Sequence, residues 1–157
     1  MSRPAMKRHS GFTLIEILVV LTLAGVLVGL AVPSFREFMA SQRVKTASFD
    51  LVTALMMARS EAVKRNTPVS VNQAAGGWTH GWTVVVGGTT LVNKDSTGNV
   101  NITTNPDPAT ASVAFQGTGR VAATVRFQLE TPNTTAVRCV TISPTGIPNT
   151  TTTSCPT

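Results

Sequence analysis

The sequence predicts an α+β protein in which one long N-terminal helix packs on an antiparallel β-rich C-terminal domain. Three observations carry this expectation. Phe12 to Val32 is an apolar run with a single carboxylate, Glu16. Ser34 to Arg65 repeats apolar residues at three- and four-residue spacing, the period of one helix face. From Pro68 onward the chain breaks into short Val- and Thr-rich runs separated by Gly, Pro and Asn clusters, the grammar of strands and turns. At 157 residues there is room for one domain and an anchor.

A helix over Phe12–Val32 would be about 31 Å long at ~1.5 Å per residue. That matches a hydrocarbon core of roughly 30 Å, and a helix satisfies its own backbone polar groups as a bilayer requires. Residues 12–33 are therefore expected to be a transmembrane helix. Pro33 removes one helical hydrogen bond, but the helical pattern continues beyond it, so a kink is expected and not a stop. Gly25 and Gly29 form a Gly-x-x-x-Gly pair, which permits close helix approach. Residues 1–11 carry Arg3, Lys7 and Arg8 and are expected to stay in the cytoplasm, placing the rest of the chain across the inner membrane. The formal charge of +6 includes those three residues; without them 13 − 3 = 10 basic groups face 7 acidic ones, or +3. That balance does not itself argue for nucleic acid. A secretory signal would place its small-residue cleavage site after the apolar run, whereas here Gly11 precedes it.

Gly11-Phe12-Thr13-Leu14-Ile15-Glu16 resembles the processing motif of type IV pilins and of the pseudopilins of type II secretion. The resemblance implies that 1–11 is a leader cut after Gly11 by a prepilin peptidase. It also implies that Phe12 is then N-methylated and that Glu16 pairs with the free amine of a neighbouring subunit. The physical chemistry agrees. An amine held in lipid needs an anion, and a carboxylate in a membrane segment costs about 2.5–3.5 kcal/mol at the centre and less near an end. The plainer alternative is a Glu16 tolerated because it lies near the interface.

Residues 34–67 read as an amphipathic helix with a stripe of Val44, Ala47, Leu51, Ala54, Leu55, Ala58 and Ala62. Arg43, Lys45, Asp50, Arg59 and Lys64 fall mostly off it. Glu61 precedes Lys64 and Arg65 at pairing distance, and Pro68 ends the helix near Asn66. Met56 and Met57 are read as packing residues. Leu55 to Asn66, with Ala-Arg-Ser-Glu-Ala at its centre and Thr67-Pro68-Val69 behind it, is similar to the GspH/FimT family of minor pilins and minor pseudopilins. That implies a type IV pilin-like fold with residues 68–157 as its β-rich globular domain.

Strands are expected at Val69–Val71, Trp82–Val86, Thr89–Val92, Val100–Thr103, Ser112–Phe115, Thr124–Leu129 and Val137–Ile142. Turns are expected at Gly76-Gly77, Gly87-Gly88, Asn93–Gly98, Asn105–Pro108, Gly117–Gly119, Pro132-Asn133 and Pro144–Gly146. Such a series suggests an antiparallel sandwich or a pair of sheets, with Val125, Phe127 and Leu129 facing the core. Cys139 and Cys155, an even count beyond the membrane, imply a disulfide closing a C-terminal loop. Type IV pilins often carry such a loop and many pseudopilins lack one, which leans toward a pilus.

No catalytic, cofactor or metal constellation is expected, and the chain is not read as an enzyme. His80, between Trp78 and Trp82, reads as a turn residue, and the tryptophans as packing at a strand end. Gly117-Thr118-Gly119 lacks the lysine of a phosphate loop. Some FimT-like minor pilins bind DNA for natural transformation, and the resemblance would put a Gly-Arg-x-Arg motif near the C-terminus. The matching stretch, Ser143 to Asn149, has Gly146 and neither arginine. Arg120, Arg126 and Arg138 are the candidate DNA contacts if they converge on one face, since phosphate contacts supply most non-specific affinity.

The sequence is thus read as a minor pilin that primes or caps a type IV pilus at its tip. The partners so implied are other minor pilins, the major pilin, the prepilin peptidase and, before assembly, the inner membrane. The globular domain would lie in the periplasm and then in the extracellular pilus. A minor pseudopilin of type II secretion and a DNA-binding minor pilin are the alternatives.

Overall fold

A computed structural model describes residues 11–105, 110–132 and 134–156. Residues 1–10 of the expected leader, positions 106–109, which take in most of the expected Asn105–Pro108 turn, Asn133 and Thr157 lie outside the described residues. The chain divides into two compact units, Met1–Arg36 and Glu37–Thr157.

Helix α1 spans Leu14–Arg65 and contains Pro33. In the first unit every large apolar side chain from Phe12 to Val32 is exposed. This part of α1 is long and apolar enough to cross a membrane. Gly25 and Gly29 have open space where a side chain would stand.

In the second unit the rest of α1 buries Val44, Ala47, Leu51, Ala54, Leu55, Ala58 and Ala62, the expected stripe, together with Ala40 and Ser48. Its C-terminus is closed by backbone bonds. Asn66, in the left-handed conformation at φ 49°, donates its N–H to the Val63 carbonyl. Thr67 donates to the Ala62 carbonyl. This is the Schellman pattern, with Asn66 at the left-handed position and a proline just beyond.

The strands are β1 (Val69–Ala74), β2 (Gly77–Val86), β3 (Thr89–Asp95), β4 (Asn101–Asn105), β5 (Ser112–Phe115), β6 (Val125–Glu130), β7 (Val137–Ile142) and β8 (Pro148–Thr151). They form two antiparallel sheets, ordered β3-β2-β1-β5 and β4-β6-β7-β8. One core cluster joins the α1 stripe to residues of both sheets, among them Val71, Val84 and Phe115 from the first and Phe127, Leu129 and Val140 from the second. Trp78 of β2 meets Phe127 of β6 edge-on at 4.8 Å, and its indole N–H donates to the Thr110 carbonyl at 2.7 Å. Glu37 accepts from both the backbone N–H and the hydroxyl of Thr135, fixing the β6–β7 connection to the helix.

Three expectations are corrected. β2 starts at Gly77 and not Trp82, so His80 lies in a strand and not in a turn. Gly81 is accommodated inside β2 because β3 runs so close that a Cβ there would clash with the Lys94 carbonyl oxygen, one of the uses of glycine inside a strand. Pro148–Thr151, expected to be loop, is strand β8, paired with β7 through backbone bonds despite its polar sequence. Met56 and Met57 are exposed and not packed.

Candidate functional site

The chemistry the sequence points to lies at the two ends of the chain. At the N-terminal end Thr13 precedes the first helical residue. Its hydroxyl accepts the N–H of Glu16 at 3.3 Å, and its carbonyl accepts the first helical bond from Ile17. Thr13 is therefore the N-cap and Glu16 the third helical residue, the spacing of a capping box. That arrangement was missed in the sequence, although Thr13-Leu14-Ile15-Glu16 carries its signature. The position also favours an anion, because unpaired N–H groups give the helix start a partial positive charge. Gly11 and Phe12 lie just outside the helix and are exposed.

At the C-terminal end Cys139 of β7 is joined to Cys155, with Cα atoms 5.0 Å apart. After β8 the chain turns back across the outward side of the second sheet. The Cys155 N–H donates to the Gln128 side chain on β6, and the Asn105 amide on β4 donates to the Pro156 carbonyl. The tail is thus tied to β7, β6 and β4 in turn.

The three candidate DNA contacts do not share a face. Arg126 alternates with the buried Val125 and Phe127 and points outward. Arg138 pairs with Leu129 and lies on the inward face, beside α1. Arg120 is exposed in the connection before β6.

The Ala-Arg-Ser-Glu-Ala segment acts as a fastening. Ala58 and Ala62 are fully buried. Arg59 donates through Nε to the Gly119 carbonyl at 3.2 Å. Glu61 pairs with Arg65 at 2.6 Å and Lys64 at 3.7 Å. The Arg65 hydrogen bond, ahead of the nearby lysine charge, holds the Glu61 carboxyl below its usual range.

An exposed apolar helix with a capped acidic start, followed by a two-sheet unit with a disulfide-tied tail, is a pilin-like architecture. Residues 47–146 match the family described as type II transport protein GspH, and residues 6–32 match the prokaryotic N-terminal methylation motif. The chain belongs to the GspH family, the group of type IV minor pilins and pseudopilins. Two Pseudomonas aeruginosa proteins named fimbrial protein are each 29% identical over 112 residues, covering 71% of this chain and 71% of theirs. Two crystal structures of the Pseudomonas aeruginosa type IV minor pilin FimU share the fold. Their TM-scores are 0.61 and 0.58 at 20% and 21% identity, covering 71% and 68% of this chain and 90% and 91% of theirs.

Proposed function

We propose that the chain is a minor pilin, a non-catalytic subunit that primes or caps a type IV pilus at its tip. The prepilin peptidase would cut after Gly11, and Phe12 would be methylated. The Glu16 carboxylate would then receive the Phe12 amine of an adjacent subunit. Before assembly the Phe12–Val32 helix would anchor the protein in the inner membrane, with the globular unit in the periplasm.

The carrying observation is the unbroken exposure of the apolar side chains from Phe12 to Val32. Fully removing one such large side chain from water is worth about 1.5–3 kcal/mol, so the segment calls for lipid or neighbouring helices around it. The capped start places Glu16 one turn from Phe12, where an amine from a neighbour at matched depth can meet it. Similarity to proteins named fimbrial protein and to FimU supports the pilus. The family description, type II transport protein, supports a pseudopilin as the second reading.

The test is Glu16→Ala in a piliated host. We expect recovery in sheared pili to fall at least about tenfold, with unchanged membrane levels and an unchanged globular unit. Undiminished recovery in sheared pili would exclude the pairing. Dependence of protein secretion, and not of piliation, on the intact gene would move the chain to the second reading.

A further inference from the structure

We propose that a groove between the outward face of α1 and the β7–β8 edge docks a carboxylate-bearing segment of a neighbouring filament subunit. The inference rests on the filament-subunit reading and assigns it a surface. On the side of α1 away from the buried stripe, Phe38, Gln42, Lys45, Phe49, Val52 and Met56 follow one another at steps of four and three. Such a 3.5-residue repeat keeps one seam turned toward a packing partner. Phe38 is 57% exposed, Phe49 70% and Met56 45%, so these three side chains stay uncovered within the Glu37–Thr157 unit, while Val52 packs in part against the core.

Beside the seam lies a groove of about 490 Å³ whose lining includes Lys45, Phe49, Arg138 and Thr150. Neither Lys45 nor Arg138 has an ion-pair partner among the described residues, where the carboxylates of Asp50 and Glu61 are taken by Lys94, Lys64 and Arg65. Two unpaired cations flanking an exposed aromatic ring complement a segment that carries carboxylates next to an apolar side chain. Burying that ring against the segment would raise the strength of both charge contacts by excluding water. Nucleic acid fits less well: two cations release about two counterions, whereas DNA binders neutralise roughly 6–10 phosphates.

The test uses the full chain in a piliated host. Sheared filaments are treated with a zero-length carbodiimide, which joins an amine to a carboxylate already in contact, and the peptides are mapped. We expect Lys45 joined to an Asp or Glu of a different subunit. Lys45→Arg should abolish that product and keep incorporation. The pair Lys45→Glu with Arg138→Glu should lower incorporation at least tenfold at unchanged membrane level. Wild-type incorporation of the charge-reversed pair, or Lys45 joined solely to carboxylates of its own chain, overturns the groove alone. Binding of a fluorescein-labelled DNA duplex by the detergent-solubilised chain, lost on charge reversal while incorporation persists, assigns the groove to nucleic acid and overturns the protein segment. Absence of the wild-type chain from sheared filaments overturns the filament-subunit reading and the groove with it.

Discussion

Gly146 shows how closely single residues are fitted where the end of α1 meets the sheets. Its φ is +75°, and an added Cβ would stand 1.9 Å from the Gly119 carbonyl oxygen, the same oxygen that accepts the Arg59 hydrogen bond. Gly87 has φ +53° in the two-residue β2–β3 turn, but open space around it. The two glycines separate strain from contact. Gly87→Ala should cost only the left-handed backbone penalty, about 1–2 kcal/mol. Gly146→Ala adds an overpacking cost of about 1–3 kcal/mol, since backbone cannot swing aside as a side chain would. Urea unfolding of the Glu37–Thr157 unit should therefore rank Gly146→Ala well below Gly87→Ala. Equal midpoints would mean that the Gly119 turn shifts freely and that Arg59 does not hold it in place.

At the scale of elements, α1 ends on a Schellman bond pair and on Glu61, whose carboxyl is pulled down chiefly by the Arg65 hydrogen bond. A carboxyl with a lowered folded pKa contributes stability above its unfolded pKa, and that contribution is lost as pH falls through the folded value. Wild type should therefore be more stable than Glu61→Gln near neutral pH, with the difference shrinking through the acidic carboxylate range. A difference that persists after Glu61 is protonated would assign the effect to packing. The inward stripe of α1 was legible because burial of Leu51, Leu55 and Ala58 enforces the helical period in sequence. The outward seam was not, because a period already explained by one face conceals a second, and so Met56 reads from sequence as a packing residue although it is exposed. β8 escaped notice because backbone pairing and a covalent tie hold Pro148–Thr151, neither of which needs apolar residues. At the site, the Gly11–Glu16 motif was legible as a pattern of residue types, and the outward face of Arg126 follows from its alternation with Val125 and Phe127, while the face of Arg138 depends on the Leu129–Arg138 register, a long-range pairing that local sequence does not encode.

Across the whole molecule, the second sheet is finished by the tail that crosses it. Glu37 and Thr135 fix the β6–β7 connection at one place, and Cys155 returns the chain to β7 at another. Between the cysteines lies β8, a four-residue edge strand that starts with a proline and buries little. Its ladder with β7 has only the four paired positions from Ile142–Pro148 to Cys139–Thr151. The disulfide spans a sequence separation of 16, and constraining an unfolded loop of that size is worth about 3 kcal/mol. Replacing both cysteines by serine should thus lower the melting temperature of the Glu37–Thr157 unit by roughly 10 °C. The loss should be local before it is global: amide exchange should rise first in Pro148–Pro156, while β6 and the buried α1 stripe keep their protection until the unit unfolds. Since Thr150 of β8 forms one wall of the Lys45–Arg138 groove, the same variant should also weaken any partner held there. A serine variant with protected β8 amides would show that the backbone ladder alone holds the edge, and that the covalent tie serves only the last residues of the tail.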